Sequence, residues 1–257
     1  MTTTTADARS AILSPLAGGP AAARANRDSF GDAQRLARLT GFLFLVTFAT
    51  SIPALLVFYA PALTDPAFVL GGGFDSGVAG GAFLELVLIA ANIGTALALH
   101  PVLRKESEAL SLGFVAARLV ESGFIAVGIV AMMALNTLRL EAGQADEAAL
   151  LVAGKALVAV HDWTFRLGPG VVVGVGNGLI LGWLMWKTRL VPRALSILGL
   201  VAGPVLLAAG IAVVFGITEA ASTVQIVATV PEFFWELILG IWLLTRGFSR
   251  EAVAALD

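Results

Sequence analysis

The residues best suited to chemistry are two glutamates in an apolar stretch near the C-terminus. Glu232 and Glu236 are four residues apart, which places both carboxyl groups on one face of a helix, one turn from each other. Two carboxylates this close repel each other when both are ionised, so such a pair shares a proton or meets a cation. We therefore predict Glu236 as a catalytic acid, with Glu121 or Glu232 as its partner in acid/base chemistry.

Ionisable and polar side chains also interrupt two other apolar stretches. Arg118 precedes Glu121 by three residues, and Glu85 shares a helix face with Asn92, seven residues later. We predict that Arg118 tunes the acid or anchors a substrate, and that Glu85 and Asn92 contact the substrate. The alternative is structural, with Arg118 paired to Glu121 or to Glu85, because charged groups inside membranes usually pair.

Aromatic residues lie beside acidic ones in two segments. Rings next to acids suit the stabilisation of a cationic intermediate, but also an aromatic belt at the membrane surface. Asp162 and Arg166, four residues apart, fit either substrate contact or an ion pair. The predicted substrate-binding residues are Glu85, Asn92, Arg118, His161, Asp162, Trp163, Arg166, Phe233 and Trp235.

The sequence has no motif for a metal, a nucleotide or another cofactor. Cysteine is absent, which excludes disulfides and thiolate chemistry, and no HExxH or Glu-x-x-His pair occurs. A net charge of −2 creates no basic field for nucleic acid. We expect no metal, no cofactor and no nucleic-acid partner.

Composition indicates the elements that must position these residues. Of the 257 residues, 58% are hydrophobic and 13% are charged, against roughly 45–50% and 25% in soluble proteins. A soluble enzyme, a disordered chain and a disulfide-stapled domain are excluded. Six stretches reach the length of about 20 apolar residues that a membrane span needs. They are residues 39–60, 80–103, 110–135, 167–187, 194–216 and 224–245.

These stretches predict an all-α, polytopic membrane helix bundle in the cell membrane. A closed barrel is excluded because they lack period-2 alternation. Basic residues such as Arg104, Lys105 and Arg189 fall in alternate connections, which predicts cytoplasmic N- and C-termini. The predicted domains are a mobile cytoplasmic tail over 1–30, a six-span domain over 31–248 and a short cytoplasmic tail over 249–257.

One charged segment, 146–166, fits no span. It suits an interfacial helix, a re-entrant helix or an outward extension of span four, and we favour a helix packed on the outer half of the bundle. In span four, Gly170, Gly174, Gly178 and Gly182 share one face, which favours a tight helix–helix seam.

The depth of the ionisable residues predicts that they meet. At about 1.5 Å per residue, Glu85, Glu121, Glu232 and Glu236 all reach the zone between the midplane and the outer leaflet. We predict one cavity there, lined by these four glutamates together with Arg118, Asp162 and Arg166, and with His161 nearby.

Six short segments follow one another along the chain: Arg38-Leu39-Thr40-Gly41, Leu99-His100-Pro101-Val102-Leu103, Arg118-Leu119-Val120-Glu121, His161-Asp162-Trp163-Thr164-Phe165, Leu190-Val191-Pro192-Arg193 and Glu236-Leu237-Ile238-Leu239-Gly240-Ile241-Trp242. In this order they resemble a bacterial membrane-protein family, domain of unknown function 4386. The resemblance covers about 36–248 and implies a helical membrane protein, with no activity attached.

Three functions fit this inventory. The first is an intramembrane enzyme that acts on a lipophilic, isoprenoid- or lipid-like substrate, for example by protonation-initiated cyclisation. The second is a proton-coupled transporter or lipid-binding protein, in which the carboxylates carry protons. The third is a structural or accessory membrane protein, in which the buried charges hold the helices together.

Overall fold

Helices form the regular structure of the chain. The computed structural model describes residues 20–220 and 222–257, with side chains from residue 28 onward. These ranges contain no strand, and six of their helices are long and apolar enough to cross a membrane. The predicted all-α bundle of six spans is therefore confirmed.

The helices agree with the predicted apolar stretches, and most extend beyond them. In chain order they are α1 (Pro20–Pro53), a π-helical turn (Ala54–Phe58), α2 (Ala60–Thr64), a 3-10 turn (Phe68–Gly71), α3 (Ser76–Leu103), α4 (Glu108–Leu138), a 3-10 turn (Arg139–Glu141), α5 (Glu147–Leu167), two π-helical segments (Gly168–Val172 and Gly174–Leu181), α6 (Gly182–Thr188), α7 (Arg193–Val214), α8 (Thr223–Thr245) and α9 (Arg250–Leu256).

Short polar side chains cap the starts of three long helices. Asp75, Ser107 and Asp146 accept hydrogen bonds from the backbone N–H three residues later, at 2.9, 3.3 and 2.8 Å. Each bond satisfies an N–H group that has no partner within the helix. The loops therefore determine where α3, α4 and α5 begin.

The spans form a closed ring. Along it α1 contacts α3, α3 contacts α4, α4 contacts the span from α5 to α6, that span contacts α7, α7 contacts α8, and α8 returns to α1. Apolar side chains such as Leu56, Val130 and Val152 are largely exposed on the outside, as a lipid environment requires. The interior of the ring is therefore the place where polar side chains from all six spans can meet.

Span four is one long helical stretch, Glu147–Thr188, of 42 residues. Of the three placements considered for 146–166, the extension of span four is the one observed. Gly154 faces Leu135 and Gly168 faces Phe124, so this stretch runs antiparallel along α4. The segment packs against the bundle as we favoured, but the expectation of a separate interfacial or re-entrant helix is corrected.

The predicted glycine seam of span four is confirmed. A Cβ added to Gly174 would lie 2.8 Å from the carbonyl oxygen of Gly203, and one added to Gly178 would lie 2.7 Å from the Gly203 nitrogen. These approaches bring the π-helical part of span four into backbone contact with α7.

Of the three apolar cores among the described residues, two lie at opposite ends of the ring. The larger one includes Leu99, Leu103 and Leu190 and fills the end that holds the basic loops, which we call the basic end. The smaller one includes Tyr59 and Met132 and lies at the opposite end. The ring is therefore packed with apolar side chains at the basic end, and its polar interior lies beyond that core.

The described parts of both chain ends are helical. Of the predicted tail over 1–30, residues 1–19 lie outside the described residues, and α1 begins at Pro20. Within 249–257, α9 buries Ala252 and Val253 in the larger core. The side chain of Asp257 accepts hydrogen bonds from Lys105 and Ser29, which lower its pKa.

Candidate functional site

A buried cavity of about 180 Å³ lies inside the ring and is lined by all six spans. We call it the deep cavity. Its polar lining consists of Thr47 and Ser51 from α1, Glu85 and Asn92 from α3, Arg118 and Glu121 from α4, and Thr229, Glu232 and Glu236 from α8. The predicted convergence of the four glutamates with Arg118 is therefore observed.

Arg118, Glu121 and Asn92 form a hydrogen-bonded triangle at one wall of the deep cavity. The Arg118 Nη1 donates to Glu121 Oε2 at 2.8 Å and to Asn92 Oδ1 at 3.3 Å. The Asn92 amide in turn donates to Glu121 Oε1 at 3.0 Å. Both Glu121 oxygens are thus engaged, which supports the structural interpretation for this residue.

The other side of the Arg118 guanidinium faces Glu236 and two aromatic rings. Its Nη2 lies 3.8 Å from Glu236 Oε1. Its Cζ lies 5.3 Å from the ring centre of Phe44 and 5.7 Å from that of Phe114, within the range of cation–π attraction. One buried cation is therefore shared between two carboxyl groups.

Glu232 is in a different situation, although it precedes Glu236 by one turn. It is only 2% exposed, and neither of its carboxyl oxygens has a hydrogen-bond partner among the described residues. A Cβ on Gly178 would lie 3.1 Å from Glu232 Oε2, so this carboxyl packs against the π-helical part of span four. Glu232 is thus a buried acid whose carboxyl group has no hydrogen-bond partner among the described residues.

The charges of the deep cavity do not balance within its lining. Four carboxyl groups, of Glu85, Glu121, Glu232 and Glu236, share the lining with the single guanidinium of Arg118. Uncompensated negative charge is costly in an interior. Protons, a bound cation or both must therefore accompany these carboxyl groups.

Glu85 pairs with a residue that the sequence analysis did not identify. The Tyr59 hydroxyl donates to Glu85 Oε2 at 3.1 Å, in place of the Arg118 contact considered above. The Tyr59 ring also meets the His161 ring edge-on, with centroids 5.4 Å apart. The only signal in the sequence was that Tyr59 is the single tyrosine, at the end of the first span.

A larger chamber of about 550 Å³ adjoins the deep cavity on the side away from the basic end. The two share the wall residues Leu55, Phe165, Pro169, Leu206, Thr229 and Phe233. His161, Asp162 and Arg166 were predicted in one cavity with the glutamates, and this part of the prediction is corrected because they line the chamber instead. Arg166 Nη2 lies 3.6 Å from Asp162 Oδ2. The chamber is mostly apolar, with its charged groups near one another.

Two predicted substrate residues lie elsewhere. Trp163 is 40% exposed and stacks on Arg166, with the guanidinium 5.0 Å from its ring centre, which suits the aromatic belt. Trp235 is fully buried in the larger core and donates through Nε1 to the Asn177 carbonyl at 3.2 Å. By contrast, Phe233 lines both cavities, as do Phe165 and Leu55, which were not predicted.

In the part of the chain that the structure describes, no three His, Asp or Glu side chains converge as a metal ion would need. The carboxyl groups are instead distributed between Arg118, Tyr59 and the open cavity.

Comparison with known proteins gives one match. No curated protein and no solved structure matches the chain. The family model described as Domain of unknown function (DUF4386) matches residues 39–247, which include most of the first span, the other five spans and every polar residue of the deep cavity. The chain therefore belongs to the DUF4386 family.

Proposed function

We propose that this protein is an intramembrane enzyme that acts on a lipophilic, isoprenoid- or lipid-like molecule by carboxylate acid/base chemistry. The observation that carries this proposal is the carboxyl group of Glu232. It is buried, lines a cavity, and has no hydrogen-bond partner within residues 20–220 and 222–257. A structural acid would be expected to have a partner, whereas a proton donor must be free to meet its substrate.

The dimensions of the two cavities suit such a substrate. Pockets for small molecules are usually about 300–1,000 Å³, largely apolar, with a few polar groups that fix orientation. The chamber, at about 550 Å³, would hold the apolar body, and the deep cavity would receive the reacting end. The deep cavity lies inside the ring, where the reacting end of a lipophilic molecule would be shielded from water.

The contacts distribute the roles among three groups. Glu232 donates the proton, because no cation lies against it among the described residues. Glu236, next to Arg118, accepts a proton at the end of the reaction. Glu121 and Asn92 position Arg118. The sequence analysis placed the acid at Glu236, and the different surroundings of the two carboxyl groups favour exchanging these roles.

The reaction that fits these roles is a protonation-initiated cyclisation. The Glu232 O–H bond breaks, its proton forms a C–H bond with the electron pair of an alkene, and a carbocation remains. A second alkene closes the ring by attacking that cation, and Glu236 removes a proton to form the product alkene. The product is an isomer of the substrate, and the two carboxyl groups together retain one proton.

Aromatic rings lie where the cation would form. Phe48 and Phe233 meet edge-on, with centroids 5.1 Å apart, and both line the deep cavity. Ring faces attract a cation by about 0.5–2 kcal/mol. They would stabilise the cation without offering a nucleophile that could trap it.

The membrane context is part of the proposal. We place the six spans in the cell membrane, with the basic end and both termini in the cytoplasm, because Lys and Arg accumulate on that side. The chamber would then adjoin the outer leaflet, where a lipophilic substrate is available.

Expression in a host followed by isoprenoid and lipid profiling tests the proposal. We expect a new isomer with the wild type and with Glu141→Gln, which removes an exposed carboxylate, and none with Glu232→Gln. Flux across vesicles that depends on pH, without a new product, would favour transport instead. Absence of both, with a stable partner after gentle solubilisation, would favour the accessory role.

A further inference from the structure

We infer that the deep cavity and the chamber together form a binding site for a lipophilic cation, such as a long-chain or isoprenoid ammonium. This inference deepens the proposed function, because it relies on a lipophilic molecule entering the same chamber. It adds the charge of the species that the site prefers.

The lining of the deep cavity carries the charge part of the inference. Three spans supply the charged groups of this lining: α3 contributes Glu85, α4 contributes Arg118 and Glu121, and α8 contributes Glu232 and Glu236. The lining positions on α1, span four and α7 are uncharged. Outside the lining of the deep cavity, the ring of His161 lies against the ring of Tyr59. Asp162 and Arg166 face each other in the adjoining chamber. The lining therefore has more acids than cations, which is complementary to a positive ligand.

The second, independent observation is the state of Glu232. The other three carboxyl groups have a cation or a donor close by: Arg118 for Glu121 and Glu236, and Tyr59 for Glu85. Glu232 is 2% exposed and, among the residues described, has no hydrogen-bond partner and forms no salt bridge, because Arg118 contacts the other two carboxyl groups instead. An ammonium N–H that reached it would form a charge-assisted hydrogen bond, the stronger class of hydrogen bond.

The surroundings select a cation with an apolar tail over a small hydrated ion. Phe48, Phe165 and Phe233 line the deep cavity beside the acids, and ring faces attract alkylammonium groups. The adjoining chamber of about 550 Å³ offers Leu55, Leu206 and Val230 to a hydrocarbon chain. A small inorganic ion would leave this apolar volume empty.

The test compares farnesylamine with farnesol, which have the same chain and differ in charge. Binding to the purified protein is measured by titration and by the shift in thermal midpoint in a non-ionic detergent. We expect farnesylamine to bind the wild type at least about tenfold more tightly, the ratio that one charge-assisted hydrogen bond supports. Glu232→Gln should bring the ratio of the two affinities close to one, and Glu141→Gln should leave this ratio as it is in the wild type.

A second pair of ligands keeps the test decisive if Glu232→Gln does not fold. A farnesyl chain ending in trimethylammonium is compared, on the wild type alone, with the same chain ending in its neutral tert-butyl isostere. Preference for the ammonium supports the inference. Equal binding of both pairs, or an amine preference that is unchanged in a folded Glu232→Gln protein, overturns it.

The outcomes also separate this inference from the proposed enzyme. If the ammonium ligands bind but no substrate is ever converted, the cation site stands and the enzyme proposal fails. If a product forms while the ammonium ligands bind no better than neutral ones, the enzyme stands and the cation site fails. Farnesylamine recovered unchanged, with product formation inhibited, would identify it as a mimic of a cationic intermediate, and its conversion would identify an amine substrate.

Discussion

Glu232 and Glu236 lie one turn apart on α8, yet only Glu236 faces the Arg118 guanidinium, with Nη2 and Oε1 3.8 Å apart. Both side chains line the same cavity. The Glu232 carboxyl has no hydrogen-bond partner in the described part of the chain. A buried acid held without compensation lowers stability, and such costs are typical of functional sites.

This asymmetry predicts opposite effects of two substitutions. Glu232→Gln should leave the free energy of unfolding unchanged or raise it, because it removes a buried carboxyl group that has no hydrogen-bond partner among the described residues. Glu121→Gln should lower it by about 3–5 kcal/mol, because Arg118 loses its closest counter-ion. Denaturant titration of the purified variants in detergent measures both, with the exposed Glu141→Gln as control. Equal losses for Glu121→Gln and Glu232→Gln would show that both carboxyl groups are structural.

Removal of the shared cation should be the most disruptive single change. Arg118→Met leaves Glu121 and Glu236 without their counter-ion, so we expect a loss of at least about 3–5 kcal/mol. Adding Glu121→Gln to this variant should restore part of the stability, because one stranded charge disappears. A double-mutant cycle measures this coupling. Strictly additive losses would mean that the ion pair contributes nothing.

The seam between span four and α7 predicts a large effect of a single methyl group. Gly178→Ala places a Cβ against the Gly203 backbone and near Glu232, so we expect a loss of about 1–3 kcal/mol from overpacking. Gly123→Ala is the matched control, because its Cβ would meet nothing within 4 Å, and it should stabilise α4 by about 0.5–1 kcal/mol. Equal thermal midpoints for the two variants would contradict the close approach of these backbones.

The residues that form the site could be predicted from the sequence, because a charged side chain within a membrane is costly and must face the protein interior. Helical rise placed Glu85, Arg118, Glu121 and Glu232 at similar depths, and lipid leaves such groups only the interior of the bundle. The same reasoning identified six spans. Chain-wide patterns of charge and hydropathy are sufficient for statements of this kind.

The pairing within the site could not be predicted in the same way. Glu85 meets Tyr59 and not Arg118, because the chain leaves span one through the π-helical turn Ala54–Phe58 and turns Tyr59 inward. Likewise, the π-helical segments let the helix of 147–167 continue through Gly168-Pro169 into span four. Hydrogen bonds depend on helix rotation to within a fraction of a turn, which hydropathy does not encode.

At the basic end, the anchoring of α9 should depend on pH. Hydrogen bonds from Lys105 and Ser29 lower the pKa of Asp257 below its ordinary value. Their contribution to the stability of the docked α9 is therefore fully present at a pH above the ordinary pKa of an aspartate, about 3.9. It is lost as the pH falls through the lowered pKa. The protection factor of the Val253 amide of α9, which allows for the slower intrinsic exchange in acid, should therefore fall on acidification below about pH 4. Asp257→Asn should abolish this pH dependence, and the control on the same helix, Glu251→Gln, should keep it. A pH dependence that remains in Asp257→Asn would assign the effect to another group.

The most direct test of the central claim, that Glu232 carries out acid/base chemistry on a lipophilic substrate, is product analysis in D2O. Purified protein in lipid nanodiscs is incubated with linear isoprenoids, which are then extracted and examined by mass spectrometry. The account predicts an isomer carrying deuterium from the wild type and from Glu141→Gln, and none from Glu232→Gln. Isoprenoids recovered unchanged and unlabelled from the wild type, or the same labelled isomer from Glu232→Gln, would contradict it.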